Sequence, residues 1–183
     1  MDIGVLPRDN LEGTAGMFSI MTRRQGNLVG VACCGAMMAA ALFFQHVLHL
    51  EPCPLCVLQR VGTISLGTVF LIAGLHNPGR FGARVYGILL MMVALAAASV
   101  SARHVWLQSL PPDQAPACGP GLDYMLEVFP LLDAMRMVFS GSGECAEIVW
   151  QFLGLSMPAW VFICFVALGL AGLVSNWARR PGE

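Results

Sequence analysis

Four of the seven cysteines in this 183-residue chain are spaced for thiol chemistry. Cys53-Pro54-Leu55-Cys56 is a C-x-x-C, a ring too small to restrain much chain but the arrangement found where thiols and disulfides exchange. Pro52 and Pro54 keep the approach extended, and Pro54 biases Cys53 away from helical geometry. Cys56 then begins an apolar run, where a helix N-terminus favours a thiolate. Arg60 follows four residues later and so shares a helical face with Cys56. An arginine one turn into a membrane span is costly without a partner or a task. A thiolate at Cys56, or an anion forming beside it, supplies one; snorkelling to headgroups is the plainer alternative. Cys118 and Cys145 enclose 26 residues. They read equally as a structural bridge worth ~3–4 kcal/mol and as an exchanging pair. Gly119-Pro120-Gly121 and Gly141-Ser142-Gly143 leave that pair mobile and exposed. Cys33, Cys34 and Cys164 lie within apolar runs and read as small hydrophobes.

A metal reading competes. His46-x-x-His49 followed by Cys53-x-x-Cys56 has ligand types and spacings that zinc accepts. Pro52 and Pro54 break the register between them, however, and the second cysteine pair is left idle. No metal ligand is therefore assigned, and a Zn- or Cu-handling protein using His46, His49, Cys53 and Cys56 stays as the alternative.

The elements that must position these residues are membrane helices. The chain is 57% hydrophobic and 11% charged, against roughly a quarter charged in a soluble domain. Four runs reach the ~20 apolar residues that cross a bilayer: Leu28 to Leu50, about Val57 to Leu75, the 18 uncharged residues between Arg84 and Arg103, and about Pro158 to Trp177. All ten basic residues are arginine and the net charge is −1, which excludes the basic field that nucleic acid requires. Arg8, Arg23, Arg24, Arg80, Arg84, Arg179 and Arg180 fall on one side, which the positive-inside rule makes cytoplasmic. Both termini then lie inside, and the four spaced cysteines face outward, into the oxidising periplasm of a bacterium.

The expected fold is thus an all-α membrane protein, a four-transmembrane-helix bundle with two periplasmic loops. Residues 1–27 read as a cytoplasmic tail and not a cleavable signal, because the apolar run starts too late and continues too far. Residues 28–178 form the transmembrane redox domain, with outer loops at about 51–56 and 104–157, and residues 179–183 form a second cytoplasmic tail. His76-Asn77-Pro78-Gly79-Arg80 is a breaker cluster that turns the second span into the third. In the long loop Leu131, Leu132, Met135, Val138 and Phe139 fall at helical spacing, opposite Asp133 and Arg136. That short helix either lies on the membrane surface or packs within the loop.

These motifs together resemble the DsbB family of disulfide bond formation proteins. The resemblance rests on Glu51 to Arg60 (EPCPLCVLQR), Arg103 to Gln108 (RHVWLQ), Cys118 to Tyr124 (CGPGLDY) and Gly141 to Trp160, in that order and across both outer loops. It implies an inner-membrane oxidoreductase that reoxidises a periplasmic DsbA-type thioredoxin-fold protein and reduces a membrane quinone, ubiquinone or menaquinone. Carried over by motif, Cys118 takes the partner's attack, and Cys145 then attacks the Cys53–Cys56 disulfide at Cys53. Cys56 would face the quinone beside Arg60, and His104 matches a quinone-side histidine. The vitamin K epoxide reductase-like proteins fit less well, since their C-x-x-C belongs to the last core helix. A membrane scaffold whose loop, stapled by Cys118–Cys145, only binds a partner is the non-catalytic alternative.

Overall fold

The computed structural model describes residues 22–111, 128–130, 132–133, 136, 138 and 143–177. Their order is α1 (Arg23–His46), α2 (Pro54–His76), α3 (Arg80–Gln108), a single turn α4 (Gly143–Ala146), β1 (Gln151–Phe152), β2 (Leu155–Ser156) and α5 (Met157–Trp177). Helices α1, α2, α3 and α5 are each long and apolar enough to cross a membrane, so the chain is a four-helix membrane protein, as its apolar runs predict.

The helix ends differ from the apolar runs for identifiable reasons. Helix α1 starts at Arg23, ahead of the expected Leu28, because Thr22 and Gln25 form a reciprocal capping box. Gln25 N donates to Thr22 Oγ1 at 3.2 Å, and Thr22 N donates to Gln25 Oε1 at 2.8 Å. It stops at His46 instead of reaching Leu50, and His49 then takes a left-handed φ of 53°. Helix α3 continues past both arginines thought to bound it. Arg84 lies over the Trp177 ring at 5.7 Å and Arg103 over the Trp106 ring at 4.1 Å, so each charge rests on an aromatic face. Between α2 and α3 the turn is as expected, with Asn77 capping α2 in the left-handed region at φ 41°.

Packing runs α1 on α2, α2 on α3, and α3 along most of α5, with α1 also touching α5. Phe70, Leu66, Leu90 and Phe165 fill the centre with almost no exposure. Helices approach closely where glycine allows it. A Cβ on Gly30 would sit 2.6 Å from the Phe70 ring, and one on Gly169 would sit 2.7 Å from the Ala94 Cβ. Near the α1 start, the buried side chains of Asn27 and Asn176 exchange hydrogen bonds of 3.2 and 2.9 Å. The outer surface is apolar as well: Leu95, in the middle of α3, is 57% exposed, which suits a lipid-facing wall and not a watery one.

Two features belong to the long loop. The strands β1 and β2 form an antiparallel hairpin pairing Gln151 with Ser156 and Phe152 with Leu155. Its turn residues Leu153 and Gly154 both have positive φ, 52° and 78°, the pattern of a tight two-residue turn that matches strand twist. Of the expected amphipathic segment, Leu132, Asp133, Arg136 and Val138 are helical, and Leu131, Met135 and Phe139 lie outside the described residues. Val138 is buried against Cys53, Leu55, Leu107 and Cys145, while Asp133 and Arg136 pair at 3.7 Å. That segment packs at least one apolar side chain onto the cysteines.

Candidate active site

Cys53 is the N-cap of α2, with extended backbone and Pro54 at the first helical position, where its missing N–H costs nothing. Its sulfur accepts a hydrogen bond from the Cys56 amide at 3.3 Å. This is the extended approach and helical entry that the two prolines predict. The structure carries Cys53, Cys56 and Cys145 as thiols. Cys53 Sγ donates to Cys56 Sγ at 2.8 Å, so a small closure reaches the ~2.05 Å of a disulfide bond.

The one-turn α4 brings Cys145 to this pair. Cys145 Sγ, Cys53 Sγ and a ring nitrogen of His104 all lie within 4.8 Å of one another, and all three residues are buried. Leu55, Leu107 and Val138 close over them. Hydrogen bonding to Cys145, then to Cys56, and then burial push the Cys53 thiol well above the usual range. Cys118, the fourth sequence-predicted thiol, lies outside the described residues.

On its other side Cys56 opens into a cavity of about 340 Å³ between α1, α2, α5 and the hairpin. Arg60, Gln59, Phe44, Trp150 and Trp160 also line it. The aromatic wall is continuous. Phe44 meets Trp150 edge-on at 5.2 Å, Trp150 stacks on Phe152 at 6.0 Å, and Trp160 Nε1 donates to the Phe152 carbonyl at 3.1 Å. Arg60 is held by α1. Its guanidinium donates to the Gln45 side-chain oxygen and, at 3.2 Å, to the Ala41 carbonyl, both on α1.

His104 lies beside Cys53. It is not among the residues lining the cavity; its Nε2 lies 3.8 Å from Cys53 Sγ, behind the thiols. Gln59 holds it there, its amide nitrogen 3.2 Å from His104 Nδ1. With that amide assigned as donor, the imidazole proton belongs on Nε2, facing Cys53. His46 and His49 are exposed, and neither joins the cluster of possible ligands that holds Cys53. Cys33 is exposed, Cys34 buried and Cys164 half-buried; Cys164 lines the cavity.

The family model of the disulfide bond formation protein DsbB matches residues 23–175. The chain belongs to the DsbB family. Disulfide bond formation protein B of Nitrosococcus oceani is 52% identical over 145 residues, covering 79% of this chain and 86% of that protein. The protein of the same name in Methylococcus capsulatus is 52% identical over 150 residues, covering 82% and 92%. That of Chromobacterium violaceum is 51% identical over 162 residues, covering 88% and 98%. This DsbB-family chain is thus a multi-pass membrane oxidoreductase that generates disulfides.

Two residues of the DsbB-type site escape sequence reasoning. Gln45 clamps Arg60 from the last turn of α1, and Gln59 aims His104 at Cys53. A glutamine within an apolar run is a signal, since a membrane helix carries such a group at a cost. Which partner it meets depends on how the helices pack.

Proposed function

We propose that this chain is a protein-dithiol:quinone oxidoreductase of the bacterial inner membrane, its thiol end in the periplasm, that reoxidises a DsbA-type thioredoxin-fold protein. The observation that carries the reading is a line of groups. Cys145 is within reach of Cys53, Cys53 is 2.8 Å from Cys56, and Cys56 shares an apolar cavity with an arginine. One sulfur pair alone is an exchange site; a pair between a third thiol and a ring-sized cavity is a relay.

The steps balance as exchanges of one disulfide. A partner thiolate attacks Cys118 of the Cys118–Cys145 disulfide, forming a mixed disulfide and releasing Cys145 as thiolate. The partner's second thiolate then breaks the mixed disulfide, freeing Cys118, and the partner leaves oxidised. Cys145 then attacks Cys53, breaking the Cys53–Cys56 bond and releasing Cys56 as thiolate. Cys118 attacks Cys145, restoring the outer pair and leaving Cys53 and Cys56 reduced. The helix N-terminus and Arg60 hold the charge on Cys56. A bound quinone supplies the acceptor for two electrons and two protons. Its fit is supported by the cavity's aromatic walls and by Arg60, whose remaining donors suit a ring oxygen. Arg60 and Cys56 are the quinone-side residues in this reading, and His104 is a positioning residue acting through Cys53. The positive-inside count of arginines supports the orientation, and residues 28–178 act as one transmembrane redox domain.

Turnover tests the proposal. Purified protein given a reduced thioredoxin-fold dithiol protein and a soluble quinone analogue should reduce the quinone. Cys56→Ser should abolish the reaction. Cys118→Ser should block the protein substrate yet spare quinone reduction by small thiols. Full turnover in both Cys53→Ser and Cys56→Ser would refute the relay.

A further inference from the structure

We propose that the reduced protein binds one thiophilic divalent cation, with Zn²⁺ as reference ion, on Cys53, Cys145 and His104. Three observations meet there. The donor atoms are two sulfurs and an imidazole nitrogen, the set zinc prefers. Their mutual distances are all within 4.8 Å, and Cys53 Sγ to His104 Nε2 is 3.8 Å. Bonds of ~2.3 Å to sulfur and ~2.0–2.1 Å to nitrogen put neighbouring donors of a tetrahedron about 3.5–3.8 Å apart, so the side chains need only small shifts. All three residues are buried, which excludes most competing water.

Charge and tautomer suit the cation as well. Two thiolates and a neutral imidazole cancel its double charge, so a buried neutral complex forms where a net charge would be costly. A metal on Nε2 requires the ring proton on Nδ1 and an acceptor there. Gln59, whose amide nitrogen is 3.2 Å from Nδ1, provides that acceptor by turning its amide over. A single water takes the fourth position, which keeps the complex neutral.

The site exists only in the reduced state. A disulfide at Cys53 or at Cys145 removes a thiolate ligand, whereas the reduced cluster releases thiol protons as the cation enters. Occupancy then ties up the two sulfurs that must exchange, so zinc acts as an inhibitor selective for the reduced enzyme. This inference rests on three side chains and is independent of the quinone reading. It also differs from a site built on His46 and His49, which stay exposed.

The test reads metal, not turnover. The full chain in detergent, reduced with a phosphine, is dialysed against Zn²⁺ or Co²⁺. The expected result is one equivalent per chain, an intense thiolate-to-cobalt band in the near-ultraviolet, and no tight binding by the oxidised protein. Cys145→Ala and His104→Ala should each weaken binding at least tenfold, while His46→Ala/His49→Ala and Cys33→Ala/Cys34→Ala/Cys164→Ala bind normally. A second readout needs no variant: in wild-type protein Zn²⁺ should slow alkylation of Cys53 and Cys145 together. Equal binding by oxidised protein, unchanged affinity in Cys145→Ala, or protection of Cys53 without Cys145 would overturn the proposal.

Discussion

Replacing Gln45 with leucine removes one of the two α1 groups that hold the Arg60 guanidinium at the cavity. Leucine keeps nearly the same volume and accepts no hydrogen bond, so the change isolates positioning from packing. A hydrogen bond to a charged group contributes ~1.5–3 kcal/mol when buried. Arg60 is only half-buried, which lowers the expectation to about 1–2 kcal/mol. At 1.4 kcal/mol per tenfold, the KM for a soluble quinone analogue should rise about 5–30-fold. The kcat should stay within about threefold, because the Ala41 carbonyl still holds the second guanidinium nitrogen and Arg60 still reaches its site when substrate binds. Arg60→Leu sets the ceiling, losing about 100-fold or more in kcat/KM, as deletion of a charge-stabilising donor does elsewhere. Steady-state quinone reduction across both variants is the assay, with thermal unfolding in detergent as a control for packing. A wild-type KM in Gln45→Leu, alongside a severe loss in Arg60→Leu, would show that the clamp does not position Arg60 and that the reasoning from α1 is wrong.

Two further outcomes follow from the buried groups. The Cys53 thiol is held above its ordinary range by Cys145, Cys56 and burial, so the folded reduced protein keeps a proton that the unfolded chain loses near about pH 8.5. A raised pKa stabilises fully below that pH and less as pH rises above it, by at most ~1.4 kcal/mol per unit; reduced wild-type protein should lose unfolding temperature above about pH 8.5 more steeply than reduced Cys53→Ala, and equal slopes would contradict this. Asn27→Leu should cost ~1–3 kcal/mol by stranding Asn176, whereas the Asn27→Leu/Asn176→Leu pair should regain most of it; denaturant unfolding in detergent measures the cycle, and full additivity of the two single losses would contradict the pairing.

The four spans and the redox motif were legible because each is written in contiguous residues. Apolar runs show a bilayer span directly, and Pro54 after Cys53 announces both the cap and the helix start. Helix ends were less legible, since Thr22 with Gln25, and arginines resting on Trp106 and Trp177, extend helices past the apolar stretch. The β1–β2 hairpin went unforeseen because its strands have two residues each and Phe152-Leu153-Gly154-Leu155 shows no alternation. What the sequence does not carry is helix register. Gln59 meets His104 across 45 positions and Cys145 reaches Cys53 across 92, and only the packing of α2, α3 and α4 brings them together. The same register turns His104 toward Cys53 and away from the cavity.

The central claim is that a disulfide passes from the C-x-x-C to the outer pair through Cys53 and Cys145. The double variant Cys56→Ser/Cys118→Ser tests it most directly, because Cys53 then has no partner within its own motif and the thiol that would resolve the intermediate is gone. Peptide mapping of the variant, purified without reductant and alkylated, should recover a disulfide between Cys53 and Cys145. Recovery of Cys53 and Cys145 both as alkylated thiols would contradict the relay.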